Sequence, residues 1–101
     1  MAFWVYILKC NDDSYYTGHT DDLEKRMFEH HSGAIEGYTK NRRPLRLIFC
    51  EQFSSREDAF QRERQIKGWS RLKKEALIKE DWELLSFLSR KKSAHPSTSS
   101  G

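Results

Sequence analysis

From Phe3 to Cys10 the chain reads Phe-Trp-Val-Tyr-Ile-Leu-Lys-Cys, an apolar run interrupted by a single charge. A run so short, rich in aromatic and β-branched residues, predicts a strand covered on both faces. Asn11-Asp12-Asp13-Ser14 follows, and such short polar side chains favour turns by bonding their own backbone. Tyr15 to His19 resumes strand character, so the first part of the chain predicts a β-hairpin.

That hairpin carries a geometric condition. Directly opposed residues share a face and each strand alternates, so Tyr6 and Tyr16 lie together only if opposed positions sum to an even number. A three-residue turn, Asp12-Asp13-Ser14, with Cys10 opposite Tyr16, satisfies this; a two- or four-residue turn separates the tyrosines. Buried tyrosines usually fill a core and bond through the hydroxyl. With an ordinary pKa of about 10 a tyrosine is a poor base at neutral pH, unless a cation or a metal-bound water lies beside it. Gly18 follows Tyr16 on the same side, where it either admits a backbone or ligand closely or simply ends the strand.

Thr20-Asp21-Asp22 offers N-cap oxygens for a helix over Asp22 to His31, with Leu23 and Met27 inward and Gly33 stopping it. Ala34 to Pro44 has no period and reads as a basic surface loop. Leu45 to Phe53 is a third strand, which Pro44 can begin without a ladder donor. Ser55 and Asp58 resemble a capping box for a helix running to Lys67, ended by Gly68. Another helix starts near Ser70 and includes Leu72, Ala76 and Leu77, and Trp82 to Leu88 is a further apolar helical stretch. The order β-β-α-β-α-α predicts an α+β fold, a small three-stranded antiparallel sheet flanked by helices. Residues 1–90 form one domain in this reading, and residues 91–101, basic then Ser- and Pro-rich, form a disordered tail.

The bulk properties bound the function loosely. A chain of 101 residues, 37% hydrophobic and 13% aromatic, suits one modest core and excludes a wholly disordered chain. The formal charge of +3 favours a polyanionic partner only weakly, since 15 acidic residues accompany 18 basic ones. Cys10 and Cys50 read as reduced thiols, with no cluster of ligands for zinc. No stretch is long enough to span a membrane and the N-terminus lacks a basic leader, so the expectation is a cytoplasmic protein, monomeric in isolation.

One residue stands out by its place. On a helical wheel Glu63 falls within the arc of Ala59, Phe60 and Ile66, and a carboxylate on a core-facing stripe is costly unless paired or bound to a cation. It is either a buried ion pair, to Arg26 or a lysine, or a ligand for a hard cation such as Mg²⁺ sharing one carboxylate with waters and phosphate oxygens. Arg26 and His30 share a face of the first helix. They could grip a phosphate and move a proton near neutral pH, or could be a solvated flank with His31 further round. Tyr38, Lys40, Arg42 and Arg43 could hold phosphates and stack on a base, with Lys67, Arg71, Lys73 and Lys74 extending the cationic surface. Each of these cations also has the plain reading of an exposed residue.

Together the elements resemble one family. Val5-Tyr6-Ile7 and Tyr16-Thr17-Gly18 look like the paired motifs of the GIY-YIG nuclease superfamily, separated by a hairpin turn. Leu23-x-x-Arg26-x-x-x-His30 resembles its first-helix signature, and Ala59-x-x-x-Glu63 its metal-binding helix. Glu63-x-x-x-Lys67-Gly68-Trp69-x-Arg71 is similar to small stand-alone bacterial members. The resemblance spans roughly residues 3–80. It implies hydrolysis of a phosphodiester, with DNA as the expected partner and RNA not excluded, assisted by one Mg²⁺ or Mn²⁺. By matching position Glu63 would bind the metal, Arg26 would stabilise the phosphate, and Tyr6 and Tyr16 would position or deprotonate water. His30 would assist proton transfer, Gly18 would keep the site open, and His19 occupies a position often held by lysine or a small polar residue. Val5 replaces the first glycine, and Lys74 and Glu75 stand where some members carry an asparagine. Two rival readings remain: a nucleic-acid-binding module that keeps the fold without cutting, and a protein-interaction domain using Trp69 and Trp82.

Overall fold

The structure is a computed structural model that describes residues 1–94, with side chains to residue 90. It divides into two units, Met1–Gly68 and the chain from Trp69 onward. The first unit holds a three-stranded antiparallel sheet in the order β2-β1-β3, formed by β1 (Phe3–Lys9), β2 (Tyr15–Thr20) and β3 (Arg46–Phe53). The helices of this unit are α1 (Leu23–Ser32) and α2 (Arg56–Lys67). The α+β class and the three-stranded sheet expected from the sequence are those observed.

The central strand is buried on both faces, as its composition requires: Val5, Tyr6, Ile7 and Leu8 are at most 2% exposed. On one face Tyr6, Leu8 and Cys10 cluster with Leu45, and Tyr16, Leu23 and Met27 pack against them. Val5 and Ile7 point the other way. His19 opposes Val5 and bonds Glu63 of α2, so α2 covers that second face.

The hairpin register differs from the expected one by two positions. Leu8, not Cys10, lies opposite Tyr16, and the Cys10 amide donates to the Ser14 carbonyl at 2.9 Å. The turn is therefore Asn11-Asp12-Asp13. The Asp12 carboxylate accepts from the Ser14 amide at 3.1 Å, and Asp13 takes the left-handed conformation at φ 68°, which Asp tolerates better than most residues. Moving the turn centre by one residue moves the pairing by two, so parity survives and the tyrosines still share a face.

Asp22 caps α1 by accepting from the Lys25 amide at 3.1 Å, and Gly33 closes it at φ 80°, its amide and that of Ala34 bonding the last carbonyls. Ser55 caps α2 by accepting from the Asp58 amide at 3.1 Å. Ala59 and Ile66 are fully buried, but Phe60, expected inward with them, is 44% exposed. One residue beyond Ala59 on the wheel, it clears the sheet and lies edge-on to His19, with ring centroids 5.6 Å apart. The loop before β3 contains a 3₁₀ turn, Lys40–Arg42, which its lack of period concealed.

The second unit is a helical pair, α3 (Arg71–Ile78) and α4 (Trp82–Ala94). Ser70 caps α3, and Glu80 at φ 57° breaks the chain between the helices while Asp81 caps the next by accepting from the Leu84 amide at 3.2 Å. The apolar stretch from Trp82 is thus a helix of its own, and the order is β-β-α-β-α-α-α. The expected tail over 91–101 overlaps the last turn of α4 and otherwise lies outside the described residues. Among those residues no helix is long and apolar enough to cross a membrane.

Candidate active site

The strand pairing sets Tyr6 opposite Gly18 on the α1 side of the sheet. A Cβ at Gly18 would stand 2.6 Å from the Tyr6 hydroxyl and 3.2 Å from the Tyr16 ring. Gly18 is buried, so the space it leaves is taken by the Tyr6 phenol rather than held open to nucleic acid. The two tyrosine rings lie 6.4 Å apart.

Helix α1 brings His30 over this pair. The imidazole is 1% exposed, edge-on to both tyrosine rings, with Nε2 2.9 Å from the Tyr6 hydroxyl. Its Nδ1 lies 3.0 Å from the hydroxyl of Thr39, itself 2% exposed. Burial, with Arg26 nearby, pulls the imidazole down to about 4. His30 is therefore neutral at physiological pH, and its burial sets aside the reading of a solvated flank. Burial, with Tyr16 adding to it, pushes the Tyr6 phenol well above its ordinary value, while the Arg26 charge opposes the rise. Tyr6 is a hydrogen-bonding phenol at neutral pH, not a ready base. Arg26 itself is half-buried, and the ion pair the structure gives it is a long one, 3.9 Å to Glu29.

A second group sits on the α2 side. Glu63 is 6% exposed, as the wheel predicted, and both of its oxygens are engaged. One bonds Nδ1 of His19, and the other lies 2.6 Å from Nζ of Lys67, one turn on. Of the two readings left open for this carboxylate, the ion pair is present, with Lys67 rather than Arg26 as its partner, while His19 hydrogen-bonds the other oxygen. Gly18 and His19 are consecutive on an edge strand and face opposite sides, so the two groups meet at the β2 edge. The Tyr6 phenol feels the charges of both Arg26 and Glu63.

The basic loop is more committed than its composition suggested. The Arg42 guanidinium sits 3.9 Å over the Tyr38 ring and pairs with Asp12 at 2.9 Å, so one face of Tyr38 is closed to a base. Tyr38 in turn stacks on Tyr16, with centroids 6.1 Å apart. Lys40 pairs with Glu36 at 2.8 Å. Arg43 donates to the Lys40 and His31 carbonyls and fills the space beside Gly33, so it braces the end of α1. In the second unit Arg71 pairs with Glu75 at 3.1 Å, Trp69 carries Lys73 over its ring, and Trp82 is 57% exposed.

The linear sequence singled out neither Thr39 nor the Tyr38–Tyr16 stack. A threonine within a polar loop has no period to mark it, and only the fold of the loop across α1 reveals its contact.

Residues 2–76 match the family model described as the GIY-YIG catalytic domain. A UPF0213 protein of Staphylococcus saprophyticus is 47% identical over 77 residues, spanning 76% of this chain and 94% of that protein. A UPF0213 protein of the archaeon Natronomonas pharaonis is 44% identical over 78 residues, spanning 77% and 92%. The solution structure of the UPF0213 protein of Bacillus halodurans superposes with a TM-score of 0.53 at 44% identity, over 78% of this chain and 84% of that one. With its hairpin tyrosines, its α1 arginine and histidine and its buried α2 glutamate, the chain belongs to the GIY-YIG family and is similar to its UPF0213 proteins.

Proposed function

We propose that this protein is an endonuclease that hydrolyses phosphodiester bonds in DNA, using one Mg²⁺ or Mn²⁺, as a cytoplasmic monomer. The observation that carries the reading is Glu63, a buried carboxylate at the β2 edge, together with the loosely paired Arg26 near the Tyr6 phenol. Among the described residues no three His, Cys, Asp or Glu side chains converge as a metal cage. The donor set instead fits a hard cation that takes one carboxylate and completes its shell with waters and phosphate oxygens. Glu63 would hold it, and the half-exposed Lys67 ammonium now neutralises the oxygen it would use. Once bound, such an ion supplies charge to offset that growing on the phosphate.

The chain's own groups divide the remaining work. Arg26 pairs with a non-bridging phosphate oxygen and offsets its developing charge. Tyr6 and Tyr16 hold the attacking water by their hydroxyls. Neutral His30 fixes the direction of the Tyr6 hydroxyl. The exposed cation Lys67 contacts the backbone of the nucleic acid, with Arg42 joining it where its pairing to Asp12 yields.

The test is strand scission by the purified protein on branched, damaged and linear DNA with Mg²⁺ or Mn²⁺, with RNA as a second substrate. Folded Glu63→Ala is expected to lose cleavage, and substantial cleavage by it refutes the assigned role. Arg26→Ala is expected to lower turnover by roughly 10²–10³. One observation favours a second reading: both Glu63 oxygens already have protein partners. A nucleic-acid-binding module would bind the same DNAs and cut none with any divalent cation.

A further inference from the structure

We propose that Thr39 is a positioning residue of the site, whose hydroxyl accepts a hydrogen bond from Nδ1–H of His30 and so leaves Nε2 bare to accept the Tyr6 hydroxyl proton. The proposal rests on the hydrolytic reading above and deepens it. It starts from a continuous buried chain, Tyr6 Oη to His30 Nε2 at 2.9 Å and His30 Nδ1 to Thr39 Oγ1 at 3.0 Å. All three side chains are at most 2% exposed, so none can trade these partners for water without opening the core.

A neutral imidazole carries one proton, and the partner of one nitrogen decides which nitrogen holds it. His30 is such an imidazole at neutral pH. If Nδ1 holds the proton, Thr39 accepts it and Tyr6 donates to Nε2. The phenol proton is then committed to Nε2, and the lone pairs of its oxygen are left to accept. If Nε2 holds the proton, Tyr6 must accept from His30, and its own proton is left to donate elsewhere. The first arrangement lets Tyr6 orient a nucleophilic water by accepting from it, and the second opposes that water. No proton leaves the chain in either arrangement, so the high affinity of Tyr6 for its proton is no obstacle.

The same loop holds the second tyrosine. Tyr38, the residue before Thr39, stacks on Tyr16. Two adjacent residues of an irregular loop thus brace Tyr6 through His30, and Tyr16 by direct contact. Side chains at consecutive positions that serve two members of one site make the loop part of the site's scaffold, not only a source of cations.

The test is the ¹⁵N chemical-shift pattern of His30 in the full chain, which distinguishes the two neutral tautomers without reference to activity. Native protein is expected to show a protonated Nδ1 and a bare Nε2. Thr39→Val, which removes the acceptor, is expected to shift the population toward protonated Nε2, and Thr39→Ser to restore the native pattern. On cleavable DNA, Thr39→Val is expected to lower kcat at least tenfold with little change in KM, again rescued by serine. A native His30 protonated on Nε2, or a tautomer unmoved in Thr39→Val, overturns the proposal even if the protein cuts DNA. The native tautomer with the Thr39 response and no cleavage by any preparation supports the positioning role while the nuclease reading fails.

Discussion

The ammonium of Lys67 stands 2.6 Å from a carboxylate oxygen of Glu63, pairing a residue that is half in solvent with one that is almost wholly enclosed. The carboxylate cannot lower its cost by turning to water, so it depends on the partners it is given. The lysine, one turn on and more than half exposed, can leave.

Lys67→Met should therefore raise the demand of Glu63 for another cation. The variant is expected to lose about 1 kcal/mol of stability in chelator, because one partner of a partly buried pair is gone and His19 remains. Its melting temperature should rise more on adding Mg²⁺ or Mn²⁺ than that of the native protein, and Glu63→Gln/Lys67→Met should lose the extra rise. Equal metal responses in native and Lys67→Met proteins would show that the lysine does not compete for that oxygen.

Gly18 is required for room, not for backbone freedom, since the structure gives it no left-handed φ. Its missing Cβ lies within 2.7 Å of the Tyr6 hydroxyl and ring. Gly18→Ala is expected to destabilise by about 1–3 kcal/mol through overpacking, and to displace the Tyr6 phenol from His30. An unchanged melting temperature would contradict the close fit of phenol and strand.

His30 makes stability depend on acid. Unfolded, its imidazole takes a proton near 6.5, and folded it does so only at about 4, so acid favours the unfolded chain. Its contribution is complete above about pH 6.5 and is lost as pH falls toward 4, by about 3 kcal/mol at 1.36 kcal/mol per pKa unit. Urea melts between pH 7 and 4 measure the slope. His30→Asn should lower stability at pH 7 and flatten the slope across this window; a variant with the native slope would show that other groups cause it.

Thr17 carries a buried hydroxyl with no hydrogen-bond partner among the described residues. Valine keeps its shape and removes the unsatisfied group, so Thr17→Val is expected to stabilise by about 1 kcal/mol. A loss of stability would mean that the hydroxyl has a partner, such as an ordered water.

The sequence made legible what repeats. Alternation and apolar runs located β1 and its two covered faces, and helical spacing found Leu23, Met27 and buried Glu63. It misplaced what depends on single conformations. One aspartate in the left-handed region shifted the turn, and Phe60 fell on the arc's margin, where a wheel cannot separate inside from outside. His30 looked like a flank because its loop partner, Thr39, comes from a segment without period. The partners of Glu63 were open between Arg26 and a lysine because spacing alone does not tell which side of an edge strand a helix will cover.

That edge strand ties the two halves of the site into one outcome. Tyr16 and Gly18 point to one face of β2 and His19 to the other, so a slip of one position between β1 and β2 would expel all three at once. Tyr6 would lose its recess and Glu63 its imidazole in the same event. Strand slippage therefore offers no half-built site: the pairing that buries the core is the same one that assembles the chemistry, and a chain that misregisters at the hairpin forfeits both.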